Sequence, residues 1–230
     1  VFRVPEDADP ETLEKEDGER LAGDTEEGVY EALGMRWVPP VLRENRGEVE
    51  SATSGELPAL VSLEDMKGDL QMHSTWSDGE ASIEEMARAC LARGYEYFAL
   101  TDHSQAMAMV GGLTPERARA QWEEIAEVQE GVPEILILRS VEVDILKDGS
   151  LDLPDDVLEE LDVVVVSVHS LMDQDRKTMT ERVIRAIRHP SVDILAHPTG
   201  RRINRREPFE MDVEAVLEVA AAASVAVELN

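Results

Sequence analysis

Residues 68–104 read GDLQMHSTWSDGEASIEEMARACLARGYEYFALTDHS, and the order of elements in this stretch decides the fold. A short run ending at a histidine, Asp69–His73, gives way to a polar loop and then to Ile83–Arg93, where Ile83, Met86, Ala87, Cys90 and Leu91 recur at helical spacing. Such a stripe is the buried face of an amphipathic helix, so Cys90 belongs to the core and is not a reactive thiol. A second apolar run, Tyr97–Thr101, follows and again ends beside a histidine, His103. Strand, helix and strand in this order predict two parallel strands with the helix laid across them.

The alternation continues outward. Further strands are expected over Ile135–Val143, Val163–His169, Ile194–His197 and Ala226–Leu229, and helices over Pro115–Gln129, Val157–Leu161, Thr178–Ile187 and Val213–Ala222. The fold class is α/β, a largely parallel sheet covered by helices. Gly111-Gly112 reads as a flexible turn and not as a phosphate loop, and the serines after His103 and His169 read as turn residues. The sequence shows no internal repeat and no low-complexity tract.

Residues 1–66 read differently. Val1–Val4 resembles a piece of strand, followed by a loop rich in Pro, Asp and Glu. Thr25–Leu33 is a helix with Thr25 as N-cap, acids in its first turn and Gly34 to stop it. Pro39 and Pro40 prevent any continuation. Too few apolar residues are present for this part to fold alone, so it reads as the tail of something larger.

Composition narrows the function classes. The chain has 230 residues, 43% of them hydrophobic, which is too apolar for wholesale disorder. No run approaches the roughly 18 apolar residues of a membrane span, and the first residues lack the regions of a signal peptide. A soluble, cytoplasmic protein is expected. The single cysteine excludes an intrachain disulfide and a thiolate metal cluster. Fifty acids against 22 bases give a net charge of −28, a field that repels polyanions, so any nucleic acid must be held by a local exception. Lysine is scarce beside arginine, which fits either a host rich in salt or an acidic surface kept for solubility.

Of the five histidines, four close a predicted strand: His73, His103, His169 and His197. Glu142 lies near the end of the third strand and Asp78 follows the first by a short loop. In parallel α/β folds the carboxyl ends of the strands share one rim, so these residues converge on one cleft. Imidazoles and carboxylates without cysteine suit Zn, Mn or Fe. His189 differs: it precedes Pro190 at a helix end and reads as a C-terminal cap.

The motifs GDLQMHSTWSDGEASIEEMARACLARGYEYFALTDHS, EVDILKDGSLDLPD, VVVVSVHS and DILAHPTGRRINRREP resemble the PHP (polymerase and histidinol phosphatase) domain of bacterial and archaeal family X DNA polymerases. The resemblance covers residues 67–230, while VYEALGMRWVPPVLREN in residues 1–66 resembles the end of the polymerase thumb and the linker that follows. It implies a distorted (β/α)7 barrel, TIM-like, with two to three divalent ions at its rim, Mn foremost and Zn or Fe as alternatives. It further implies that Glu142 bridges two ions held with His73, His169 and His197, and that Asp78 and His103 hold a third. Asp69 reads as a residue orienting its neighbours or as a strand-start cap. Two departures stand out. Gln71 replaces the first histidine of the family's D-L-H-x-H motif, and Asn230 precedes the family's final Asp-x-His, so the barrel is expected to be truncated at its C-terminus.

The resemblance implies a phosphoesterase acting on gapped or damaged DNA 3′ ends, a 3′→5′ exonuclease of base-excision repair. Its rivals are a stand-alone phosphatase of histidinol-phosphatase type and a non-catalytic metal-binding module that stabilises the polymerase. Arg201 and Arg202, with Arg205 and Arg206, follow His197 and supply the local positive exception that DNA requires, unless Glu207 and Glu210 pair with them. Trp76 either stacks on a base or packs beneath the rim. No protein partner and no membrane are expected.

Overall fold

The computed structural model describes residues 1–3 and 19–229. The expectations for Val4, for the acidic loop up to Asp17 and for Asn230 lie outside the described residues. The chain divides into two compact units, residues 1–62 and 63–230.

In the first unit, β1 (Phe2–Arg3) pairs antiparallel with β2 (Glu19–Arg20). Helix α1 (Glu26–Ala32) begins where expected, because the Thr25 hydroxyl accepts the Gly28 N–H at 3.1 Å. Pro40–Leu42 form a single 3-10 turn. Arg43 then reaches back, donating to the Val38 carbonyl at 2.7 Å and to Glu26 at 2.6 Å. A second helix, α2 (Glu48–Ser54), was not anticipated. Its apolar stripe is too thin to read from periodicity, and it is bounded by Gly47 and Gly55, both at positive φ.

The second unit holds six parallel strands in sequence order: β3 (Gly68–Met72), β4 (Tyr97–Leu100), β5 (Leu136–Asp144), β6 (Val163–Ser167), β7 (Ile194–Leu195) and β8 (Ala226–Val227). Helices α3 (Ile83–Ala92), α4 (Pro115–Gly131), α5 (Asp155–Leu158), α6 (Arg176–Ile187) and α7 (Val213–Ala223) connect or follow them. The result is an α/β arrangement of parallel strands with their helices packed against them.

Local signals place the helices. Ser82 and Glu85 form a reciprocal capping box at α3, and Thr114, Asp175 and Asp212 cap α4, α6 and α7 by accepting N–H groups of their first turns. The packing then follows from periodicity. Ile83, Met86, Ala87 and Cys90 of α3 are buried in one cluster with Phe98, Leu100, Val141, Val143, Val164 and Val166 of the central strands. Burying each large aliphatic side chain contributes about 1.5–3 kcal/mol, which holds the strand ends, and so the rim, in place.

Three differences from the sequence reading bear on the rim. The strands stop before the histidines, because the chain turns over the rim there. His197 sits at φ +28°, outside any strand geometry. Helix α5 starts at Asp155 and ends at Leu158, three residues short of the expected Leu161, and its N-cap is Pro154. Gly111-Gly112 is not merely a flexible turn: it closes a 3-10 segment over Gln105–Val110, and a Cβ on Gly112 would lie 2.0 Å from the Ser104 carbonyl oxygen. Ser104 itself is wholly buried and its hydroxyl accepts the Asp144 N–H at 2.9 Å, tying the segment after β4 to β5.

Candidate metal centre

Five of the six strands of the sheet each deliver one group to the rim. His73 follows β3, His103 follows β4, Glu142 lies inside β5, His169 follows β6 and His197 follows β7. Glu142 is 2% exposed and lies among all four imidazoles. His197 Nε2 stands 2.8 Å from its Oε1 and His169 Nε2 3.4 Å from the same oxygen, while His73 Nε2 and His103 Nδ1 stand 3.4 and 3.3 Å from Oε2. Successive ring centroids are 4.5, 4.9 and 5.1 Å apart in the order His73, His103, His169, His197.

Asp78 enters from the loop after β3. Its Oδ1 lies 2.9 Å from His73 Nδ1 and its Oδ2 3.5 Å from His103 Nε2. Two sets of side chains therefore have donor atoms close enough to share an ion: His73 with Asp78 and His103, and His103 with Glu142 and His169. His103 stands between the sets and belongs to both, whereas the resemblance assigned it to one.

The electrostatics fit a cation. Burial pushes the Glu142 carboxyl up, but hydrogen bonds from His197 and His73 and the field of His169 outweigh it and hold the group well below the usual carboxylate range. Burial holds the His103 imidazole below its ordinary value against the opposing pull of Glu142, with neighbouring His73 and His169 adding to the lowering. Its Nδ1 is buried without a hydrogen-bond partner. Among the described residues no lysine or arginine pairs with Glu142. A buried carboxylate ringed only by imidazoles, with an orphaned ring nitrogen beside it, is a donor set suited to divalent transition ions.

Several supporting groups escaped sequence reasoning. Asp144 lies two residues beyond Glu142 on β5, hence on the same face, and its Oδ2 is 3.3 Å from His169 Nδ1, the placement of a carboxylate that orients an imidazole ligand. Alternation along β5 was the available signal. Asp102 is fully buried and accepts from the Ser74 N–H at 2.9 Å, the Ser74 and Ser77 hydroxyls at 2.7 and 2.5 Å, and the Gln121 amide at 2.6 Å, which pins the loop carrying Asp78. Glu228, after β8, accepts the His197 N–H. Arg182 on α6 is buried and donates to Leu146 O at 2.9 Å and Ser170 O at 3.0 Å, joining the loops that follow β5 and β6.

Other expected residues fall elsewhere. Asp69 Oδ1 accepts the Gln71 N–H at 2.9 Å, a local backbone contact at the start of β3. Gln71 has its Oε1 buried and unpartnered. Trp76 packs against the core, donating to Glu124 at 2.8 Å beneath the guanidinium of Arg117. His189 stands apart from the centre, 3.4 Å from Asp155. Arg201 and Arg202 are exposed in the loop after β7, and Arg201, Arg202, Arg205 and Arg206 make no ion pair among the described residues, so Glu207 and Glu210 do not neutralise them.

Fold and site together define an α/β protein with an imidazole–carboxylate centre at the carboxyl ends of parallel strands. The PHP domain family matches residues 69–230, and the DNA polymerase beta thumb matches residues 8–44. The chain belongs to the PHP domain family. It is 45% identical over 215 residues to the DNA polymerase/3'-5' exonuclease PolX of Bacillus subtilis, covering 94% of this chain and 37% of that protein. It is 33% identical over 172 residues to a probable phosphatase of Thermoanaerobacter sp., covering 72% of this chain and 65% of the relative. The chain thus spans about a third and about two thirds of the lengths of these curated relatives. A solved histidinol phosphate phosphatase from Lactococcus lactis, complexed with zinc, L-histidinol and phosphate, superposes with TM-score 0.49 at 15% identity over 71% of this chain and 73% of the other. No helix of the described residues is long and apolar enough to cross a membrane.

Proposed function

We propose that residues 67–230 are a metal-dependent phosphoesterase that trims DNA 3′ ends, and that residues 1–66 are the end of a polymerase thumb and its linker. The observation that carries this reading is Glu142, a buried carboxylate held 2.8 to 3.4 Å from four imidazoles at one rim. His73, Asp78, His103, Glu142, His169 and His197 would hold two to three divalent ions, Mn²⁺ foremost. Such ions supply Lewis-acid chemistry, neutralising charge on phosphoryl oxygens and making water nucleophilic near neutral pH.

The chain's own residues do the rest. Glu142 and the imidazoles set the positions of charge at the rim, Asp144 orients His169, and Asp102 holds the loop of Asp78. Arg201 and Arg202, four and five residues beyond His197, contact the phosphates of the incoming strand, the bidentate task for which a guanidinium is suited. Water's oxygen bonds to phosphorus, the phosphorus–O3′ bond breaks, and the proton ends on the departing sugar oxygen. No side-chain nucleophile takes part.

The similarity to the PolX polymerase/exonuclease across almost the whole chain supports a cytoplasmic DNA-repair role on gapped or damaged 3′ ends. The similarity to a probable phosphatase favours a second reading, hydrolysis of a small phosphate monoester. The chain loaded with Mn²⁺ and given a 5′-labelled oligonucleotide should shorten it from the 3′ end, and Glu142→Ala should not. Hydrolysis of histidinol phosphate with DNA left intact would decide for the second reading.

A further inference from the structure

The loop between β7 and α7 holds a feature that phosphate contact leaves unused. Arg202 and Arg206 pair backbone to backbone, each N–H donating to the other's carbonyl at 2.9 and 2.8 Å, and Arg205 N–H also bonds Arg202 O at 2.9 Å. Ile203 and Asn204 are therefore the two central residues of a tight turn, with Asn204 at φ +58°. The hairpin is anchored at its base. Gly200 N–H bonds His197 O at 2.9 Å, Arg206 Nε bonds Gly200 O at 2.7 Å, and Phe209, packed on the core, lies so close that a Cβ on Gly200 would meet its ring at 2.8 Å.

At the tip of this braced turn Ile203 is 76% exposed, with two arginines on either side of the turn that pair with no acid among the described residues. A branched aliphatic residue there leaves most of its surface in solvent. Basic residues flanking a projecting apolar side chain are the chemistry of proteins that grip phosphates and push a wedge between stacked bases. The hairpin follows His197 of the centre, whose Glu142 and His103 are buried, and a terminal nucleotide freed from its stack presents its phosphate to such a rim more readily than a stacked one.

We propose that Ile203 is a strand-opening wedge that frays the terminal base pair of a duplex 3′ end and so delivers a freed nucleotide to the metal centre. The inference rests on the DNA reading given above and specifies its substrate as paired ends. Asn204 permits the tight turn, and the arginines hold the duplex flanks while the wedge enters.

Two measurements on the whole chain test it. With Mn²⁺, the rate on a fully paired 3′ end is divided by the rate on the same strand unpaired; Ile203→Ala should lower this ratio about fivefold, and a mismatched terminal pair should restore it. Without metal, 2-aminopurine placed at the paired 3′ terminus should brighten when the chain binds and stay dark with Ile203→Ala at equal anisotropy. An unchanged ratio, or unstacking by the variant equal to that of the parent chain, overturns the wedge and leaves the DNA reading standing. Absence of any DNA binding or cleavage by the parent chain overturns both.

Discussion

His197 Nε2 and Glu142 Oε1 meet at 2.8 Å although the residues are 55 positions apart, and the His197 backbone is held at φ +28° while its N–H bonds Glu228. Left-handed backbone at a non-glycine residue costs free energy, and it persists where the surroundings over-determine it. Here the His197–Glu142 contact and the Glu228 contact do so. Glu142 is consequently the hub of the centre, touched by side chains that follow four different strands.

Glu142→Gln should therefore separate metal binding from folding. The amide keeps the volume but loses the charge that attracts a cation, so bound metal should fall by about 10–100-fold in affinity. Circular dichroism should retain the α/β signature. A variant that binds Mn²⁺ as tightly as the parent chain, measured by calorimetry, would contradict the placement of the centre.

Asp102→Asn tests the loop beneath the centre. The carboxylate accepts four hydrogen bonds in a fully buried position, and an amide can accept only on its oxygen while its NH₂ faces other donors. Leaving buried donors unmet costs about 1–3 kcal/mol. Urea unfolding should show that loss, and metal held with Asp78 should weaken in parallel. Ser77→Ala removes one donor and should cost less.

Gly79→Ala should disturb ligand geometry by contact alone. Its Cβ would lie 2.0 Å from the His73 carbonyl oxygen, backbone that cannot swing away. The turn carrying His73 and Asp78 must shift, so Mn²⁺ affinity should drop by roughly tenfold. Gly131→Ala, with nothing within 4 Å of its Cβ, is the matched control and should bind metal normally.

The net charge of −28 predicts a salt response. Self-repulsion among carboxylates destabilises the compact state, and salt screens it. The melting temperature should rise from low to high ionic strength, each 1 kcal/mol gained corresponding to about 2–4 °C at this chain length. A flat response would show that the acids are already offset by local pairs such as Asp156 and Glu160 with Arg119.

Much of the fold and the centre was legible because both are written in local patterns. Helices α3, α4, α6 and α7 follow from apolar spacing and from side chains at their caps. The strand-end histidines follow from short apolar runs that stop at an imidazole. What was not legible arises from contacts between distant segments. Asp102 differs in no sequence feature from a turn acid, and only the approach of Ser74, Ser77 and Gln121 makes it an organiser. Gly112 read as flexible because a glycine's close neighbour, here the Ser104 carbonyl, is invisible in one dimension. Helix α2 was missed because its capping depends on Glu48 accepting the Asn45 and Arg46 N–H groups and not on a hydrophobic stripe.

The sequence by itself determined the class of fold, the side chains that meet at the rim and the presence of one arginine-rich loop after His197, since periodicity and residue chemistry are properties of the chain. Only the tertiary structure decided that His103 stands between two sets of side chains able to share an ion, that Glu142 lies within 3.4 Å of four imidazoles, and that Ile203 is held at the tip of a closed hairpin. These are distances across strands and turns, fixed by packing of the sheet and by backbone hydrogen bonds between residues that the chain brings together only on folding.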